Sequence, residues 1–125
     1  MIEITNETLI YLIQITENCK PNEAAAILFE NNTIVIEMNP MSKSVAHFSD
    51  IDPIAVSKLI DEYGIPSTLF HSHPCAAIPS STDLTYMYST IAIWHSPWLI
   101  MSDKMKLRCW TIHRNHPIEI EVKIV

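Results

Sequence analysis

Residues 70–83 read FHSHPCAAIPSSTD, and this stretch decides how the rest of the chain is interpreted. The run Ser67–His71 is β-branched and aromatic, which predicts a short buried strand. Pro74 ends that strand because it lacks a backbone N–H for the ladder. Residues i and i+2 of an extended chain point to one side, so His71 and His73 can meet one ion.

A third ligand is available further along the same stretch. Ser80, Ser81 or Thr82 can cap a helix running to about Ser89, and Asp83 then lies in its first turn. A catalytic zinc site uses three protein ligands and leaves the fourth position open. The spacing therefore predicts a zinc site of His71, His73 and Asp83.

Two further residues complete a hydrolytic site. Glu23 is a lone carboxylate directly before the apolar run Ala24–Phe29, and its burial there needs a reason. We assign it as the general base that takes a proton from water and passes it to the leaving nitrogen. Ser80 is assigned as the hydroxyl donor that stabilises the oxyanion of the tetrahedral intermediate.

The remaining pattern places this stretch within a mixed fold. Before it, apolar spacing predicts a helix over Asn6–Cys19, capped by Thr5 or Asn6 and ended by Pro21. A hairpin is predicted next, with strands Ala24–Phe29 and Thr33–Met38 and a turn at Glu30-Asn31-Asn32. Asp52-Pro53 opens a second helix with a buried stripe of Ile54, Leu59 and Ile60, and Gly64 ends it. Strands follow at Trp98–Met101, Leu107–Ile112 and Ile118–Val125. We expect one α+β domain over residues 1–125, with a mixed twisted sheet flanked by helices.

Together these residues resemble the JAMM, or MPN-plus, metalloproteases of the JAB-domain type. His71-Ser72-His73-Pro74 and Ser80-Ser81-Thr82-Asp83 look like the family motif, and Pro21-Asn22-Glu23 followed by Ala-Ala-Ala-Ile-Leu looks like the segment that carries its glutamate. The resemblance implies a JAB/MPN-like fold with cytidine-deaminase-like layers, and zinc as the cofactor. It also implies hydrolysis of peptide or isopeptide bonds at the tail of a ubiquitin-like or sulfur-carrier protein, or of a phage tail precursor.

The chain departs from the family pattern in two places. Six residues separate His73 from Ser80, one fewer than usual, and Ala25-Ala26 stands where many members have Cys-Gly. The chain also lacks the long insertions with which eukaryotic deubiquitinases of this family grip ubiquitin. A minimal prokaryotic or viral type is therefore expected.

Simpler interpretations remain open for each residue. Two histidines on a strand can be ordinary polar residues, Ser80 and Asp83 can be only a helix cap, and Glu23 can be a solvated strand-edge residue. The protein can also be a catalytically silent MPN-like binding module, or a zinc amidohydrolase for small molecules. A zinc nucleoside deaminase is excluded because Ile78 stands where its second cysteine would follow Cys75.

Composition narrows the partners and the compartment. The formal charge is −6, and the eight Lys and Arg residues are scattered among fourteen acids, so we expect no nucleic-acid partner. No apolar run is long enough to span a bilayer, and the acidic start does not fit a secretory signal. Three widely spaced cysteines fit a reducing compartment. We expect a soluble cytoplasmic protein, or a virion-associated one if a phage encodes it.

Overall fold

The computed structural model describes residues 1–38 and 53–125. Within these ranges none of the three helices is long and apolar enough to cross a bilayer. The elements follow one another as β1 Ile2–Ile4, α1 Asn6–Cys19, β2 Ala25–Phe29, β3 Ile34–Met38, α2 Pro53–Tyr63, β4 Thr68–Ser72, α3 Ser81–Trp94, β5 Trp98–Met101, β6 Leu107–His113, β7 His116–Ile120 and β8 Val122–Ile124.

Six of the strands form one mixed sheet in the order β3-β2-β4-β5-β6-β7. Its neighbours are antiparallel except β4 and β5, which are parallel. A parallel pair needs a long crossover, and α3 provides it between β4 and β5. Strands β1 and β8 form a separate parallel pair. The predicted α+β fold with a mixed sheet and flanking helices is confirmed.

The sheet has two covered faces, because successive residues of a strand point to opposite sides. On the α1 face, α1 and the β1–β8 pair cover a cluster that includes Leu12, Ile15, Leu28, Phe70, Leu99, Met101 and Cys109. On the α2/α3 face, these two helices cover a cluster that includes Ile27, Phe29, Val56, Leu69, Met87 and Trp98. A helix that packs on a sheet needs only one apolar stripe, which is why amphipathic patterns sufficed to predict this layering.

Local signals at the helix ends act as predicted. Thr5 is the N-cap of α1, and its Oγ1 accepts a hydrogen bond from the Thr8 N–H at 3.1 Å. Gly64 follows α2 with φ +85°, and its N–H donates to the Ile60 carbonyl at 2.8 Å. Glycine adopts this left-handed conformation without the steric penalty of a Cβ. Asp52, the predicted cap of α2, lies outside the described residues.

The β2–β3 hairpin turns through three consecutive residues in the left-handed region, with φ of 50°, 55° and 65° at Glu30, Asn31 and Asn32. Asn32 is buried and connects three elements. Its Nδ2 donates to the Glu3 carbonyl at 3.3 Å, its own carbonyl accepts from Thr8 Oγ1 at 3.4 Å, and its Oδ1 accepts from Thr68. The turn is thereby tied to β1, α1 and β4.

Three expectations about these elements are wrong. The predicted strand Ile118–Val125 is split, because β7 pairs with β6 in the main sheet while β8 leaves to pair with β1. The third helix does not end near Ser89 but continues to Trp94. Ile54 is 66% exposed, and Val56, 3% exposed, takes its place in the buried stripe of α2.

Candidate metal centre

Strand β4 delivers two imidazoles to the α2/α3 face of the sheet. Leu69 packs in the cluster of that face, so His71 and then His73 follow it on the same side by alternation. The His73 N–H donates to the Met101 carbonyl at 2.8 Å, which keeps the chain tied to β5 beyond the end of β4. Both histidines are buried. The geometry expected of a His-x-His pair on an extended chain is present.

The start of α3 fixes the carboxylate of Asp83. Ser80 is the N-cap, and its Oγ accepts from the Asp83 N–H at 3.1 Å. In return the Ser80 N–H donates to Asp83 Oδ2 at 2.9 Å, which completes a capping box. Of the three residues proposed as the cap, Ser80 therefore fills the role, and Asp83 lies in the first turn as predicted.

Three potential ligand atoms converge between β4 and α3. The Nε2 atoms of His71 and His73 are 3.0 Å apart, and Asp83 Oδ2 lies 3.1 Å from the first and 2.9 Å from the second. Ligands on a zinc tetrahedron with 2.0–2.1 Å bonds are about 3.3 Å apart, so only a small expansion separates this triangle from that geometry. Two imidazole nitrogens and one carboxylate oxygen also form a donor set that zinc accepts. The residues fit a zinc ion.

A second contact orients one of the rings. His73 Nδ1 lies 3.2 Å from the Ala76 carbonyl oxygen, and a carbonyl can only accept, so Nδ1 carries the hydrogen. The lone pair of a neutral ring is then on Nε2, the atom that faces His71 and Asp83. Metal-ligating histidines are commonly oriented by such a bond from the other nitrogen.

The electrostatics of the cluster favour positive charge between these side chains. Burial alone would raise the pKa of Asp83, but hydrogen bonds with His71 and His73, the charge on His71 and the Ser80 N–H hold it well below its usual range. Burial alone would lower the pKa of His73, but the hydrogen bond and charge of Asp83 and the charge of Glu23 raise it. Three acceptor atoms this close repel one another unless a proton or a cation lies among them.

Glu23 lies beside the cluster. The pairing of Ala25 with His71, continued by two residues, puts Glu23 opposite His73. A carboxylate oxygen of Glu23 lies within 4.8 Å of a ring nitrogen of each histidine, and only 9% of the residue is exposed. It is therefore not a solvated strand-edge residue. A cleft of about 420 Å³ opens next to it, lined by Thr16, Lys20, Pro21, Asn22, Glu23, Ser72, His73, Pro74 and Asp103.

Ser80 lies at the surface next to Asp83. The residue is exposed, and its hydroxyl oxygen already accepts from Asp83, which leaves the hydroxyl hydrogen available to donate outward. Cys75 is an exposed loop residue and contributes no ligand atom to the cluster of described side chains.

Two tryptophans support the site in ways that the sequence did not indicate. The Trp98 ring packs edge-on against His71, with centroids 5.7 Å apart, and closes the apolar side of the cluster. Trp110 Nε1 donates to the Ala77 carbonyl at 2.9 Å and ties the loop before Ser80 to β6. No local sequence pattern links these two tryptophans to the histidines.

The family described as prokaryotic homologs of the JAB domain matches residues 5–113. The chain belongs to this family. A search of curated proteins finds no match for it.

Solved structures agree with the JAB fold. A protein from Desulfitobacterium hafniense, solved in solution, superposes with a TM-score of 0.74 at 23% identity over 100% of this chain and 93% of its own. A structure described as JAMM, a metalloprotease-like zinc site in the proteasome and signalosome, gives 0.63 at 17% identity, covering 100% and 98%. A JAB1/MPN domain protein from Archaeoglobus fulgidus gives 0.58 at 17% identity, covering 100% and 97%. At these identities the likeness shows the fold.

Proposed function

We propose that this JAB-domain protein is a zinc-dependent metallopeptidase or isopeptidase that hydrolyses an amide bond of a protein or peptide. One observation carries the proposal. The ligand atoms of His71, His73 and Asp83 lie within 3.1 Å of one another, and the carboxylate of Glu23 lies beside them at the cleft. The similar JAMM structure, described as a metalloprotease-like zinc site, supports the choice of metal and reaction.

His71, His73 and Asp83 would hold the metal. Zinc bound there would act as a Lewis acid on a carbonyl oxygen and lower the pKa of water toward about 7. The buried strand end and the capping box already hold these three side chains in place, so they need no rearrangement to converge.

Glu23 and Ser80 supply the remaining chemistry of the chain itself. Glu23 takes a proton from the attacking water and later gives it to the departing amine, which requires a carboxylate near both. The Ser80 hydroxyl donates a hydrogen bond to the oxygen that becomes negative as the carbonyl carbon turns tetrahedral. The exposed position of Ser80 and the open cleft at Glu23 support approach of substrate from the solvent side.

The substrate class rests on the family. We propose the C-terminal tail of a ubiquitin-like or sulfur-carrier protein, or a phage tail precursor, as the segment that enters the cleft. The reaction would take place in the cytoplasm, or in a virion if a phage encodes the chain, and residues 1–125 would act as one domain.

Metal content tests the ligand set. The wild-type protein and Glu23→Gln should each purify with equimolar zinc by inductively coupled plasma mass spectrometry, whereas His71→Ala and Asp83→Ala should lose it. Circular dichroism on each variant separates loss of ligand from loss of fold. If folded wild-type protein holds no zinc even after dialysis against it, the metallopeptidase proposal is wrong.

Turnover tests the reaction. Diglycine-linked fluorogenic peptides should be hydrolysed and small amides should not, and Glu23→Gln should lower kcat by about 10²–10⁴-fold while zinc stays bound. The matched control is Glu62→Gln, which changes an exposed glutamate of α2 and should leave kcat unchanged. Zinc binding without hydrolysis of either substrate class would favour a silent binding module, and hydrolysis of small amides alone would favour an amidohydrolase.

A further inference from the structure

Ser72 lies between the two histidines but faces away from them. It shares the side of β4 with Phe70, which packs in the cluster of the α1 face, and it is 3% exposed. Its Oγ accepts a hydrogen bond from the Ala24 N–H at 2.8 Å, and its own N–H donates to the Ala24 carbonyl at 3.0 Å. One residue of the His-x-His motif thus contacts the residue next to Glu23 twice.

These two hydrogen bonds lie where β2 begins, so they act on the peptide bond that precedes the strand. Strand β2 begins at Ala25, so Ala24 lies just outside the strand. In an antiparallel pair that exchanges both bonds, the Ala24 N–H would go to a main-chain carbonyl, and here the Ser72 hydroxyl takes that place. Ala24 is 1% exposed, so water has little access to its N–H. The hydroxyl therefore fixes the peptide bond that joins Glu23 to Ala24.

The chain on the other side of Glu23 runs over the surface. Residues 20–22 are exposed and form a turn in which the Asn22 N–H donates to the Cys19 carbonyl at 2.8 Å. After this turn the chain enters the sheet at Ala24, next to Ser72. The peptide bond that follows Glu23 is thus held by the residue that separates His71 from His73.

We infer that Ser72 is a positioning residue, which holds the Glu23 carboxylate in register with the ring nitrogens of His71 and His73. The inference rests on the proposed function, in which Glu23 transfers the proton. Ser72 reaches Glu23 through the backbone and does not contact the ligand atoms, so its loss should spare metal binding and impair proton transfer. Misplacement of a catalytic group by about 1 Å can lower the rate by about 10²-fold.

The test compares Ser72→Ala with Ser72→Thr and with Ser96→Ala. Threonine keeps the hydroxyl. Ser96 is a matched control because it is also buried and its Oγ lies 2.6 and 2.7 Å from the Pro66 and Trp94 carbonyl oxygens. It follows the C-terminal end of α3, whereas Asp83 lies at the N-terminal end. Ser72→Ala should keep equimolar zinc but lose about 10²-fold in kcat. Ser72→Thr should recover most of kcat, and Ser96→Ala should lose stability only.

Two measurements test whether Ser72 holds Glu23 without requiring that the protein hydrolyse a substrate. The Ala24 amide should exchange hydrogen faster in Ser72→Ala than in Ser96→Ala, and the Glu23 ¹³Cδ signal should shift in Ser72→Ala alone. If wild-type protein hydrolyses nothing, the proposed function fails, but these two signals still decide whether Ser72 holds Glu23. Should Ser72→Ala not fold, Ser72→Cys preserves the volume with a much weaker acceptor. Unchanged Ala24 exchange, or zinc lost in step with kcat, would overturn the inference.

Discussion

The two faces of the six-stranded sheet are built from the same strands but present different side chains at the end of β4. On the α1 face, β4 and β5 present Phe70, Leu99 and Met101, all completely buried. On the α2/α3 face, β4 begins with Leu69 in the apolar cluster but ends with His71. Alternation puts Phe70 in an apolar cluster and Ser72 against the Ala24 backbone on one side of β4, and ends the other side in ligand residues. We call the α1 face the closed face and the α2/α3 face the open face. Changes on the closed face should therefore alter the stability of the fold, and changes on the open face should alter metal binding.

The largest effect is expected from breaking the closed face. Leu28→Ala removes a completely buried side chain of β2, so the free energy of unfolding should fall by about 2–5 kcal/mol. Urea unfolding measures this change, with Ile10→Ala, an exposed residue of α1, as the control expected to change it by less than about 0.5 kcal/mol. Zinc stoichiometry of the folded variant should be unchanged. A variant that folds but loses its metal would show that the faces are not separable.

Removal of the metal from the open face should lower the free energy of unfolding by a somewhat smaller amount. A ligand that binds only the folded state adds about 2.7 kcal/mol at a free concentration one hundred times its Kd. Chelation should therefore lower the urea midpoint of the wild-type protein, whereas Asp83→Asn should show the same midpoint with and without chelator. An equal response of both proteins would place the zinc elsewhere.

The N-caps of α1 and α3 allow the two faces to be compared through smaller changes in the free energy of unfolding. Thr5→Ala and Ser80→Ala each remove a side-chain acceptor from a helix start, so each should lower the free energy of unfolding by about 1 kcal/mol. Only Ser80→Ala should also lower kcat, by about 10²–10³-fold, since only this hydroxyl lies at the site. Thermal unfolding and steady-state kinetics on both variants check this. Equal kcat in the two variants would remove Ser80 from the reaction.

The smallest effect concerns the cysteines. Burial raises the pKa of Cys109, in the cluster of the α1 face, to about 12, while Cys75 is exposed in the loop next to the site. Thiolate is the reactive form, so iodoacetamide at pH 8 should modify Cys75 and spare Cys109 in the native protein. Peptide mapping by mass spectrometry gives the extent of each. Rapid modification of Cys109 would show that the closed face opens readily.

The parts of the molecule that sequence predicted well are those with a local signal. The His-x-His pair needs only an extended chain, the Ser80–Asp83 capping box needs only a helix start, and the left-handed turn at Asn31 needs only a residue that tolerates positive φ. Glu23 is assigned from its place before a buried strand and then matched to the family motif, but its position beside the histidines depends on how β2 pairs with β4.

The parts that sequence missed depend on distant contacts. Strand β1 has only three residues, too few for a recognisable pattern. The residues of β8 continue the alternation of β7, so nothing local shows that β8 leaves to pair with β1. Helix α3 passes Ser89 because Ile91 and Trp94 pack against the cluster of the α2/α3 face, which outweighs the modest helix propensity of Thr90. The bond from Ala24 to Ser72 likewise joins residues 48 positions apart.

Asn32 has a consequence for anyone who would redesign this scaffold. Its positive φ suggests glycine, the usual substitution for a left-handed turn residue. Glycine would preserve the turn and the carbonyl that Thr8 contacts, but it would remove both amide atoms that hold Glu3 and Thr68. Because Thr68 begins the strand that carries His71, this hairpin tip is connected to the histidines by a single strand. This loop, which looks exchangeable, therefore links β1, α1 and β4 and cannot be replaced without loss of those contacts.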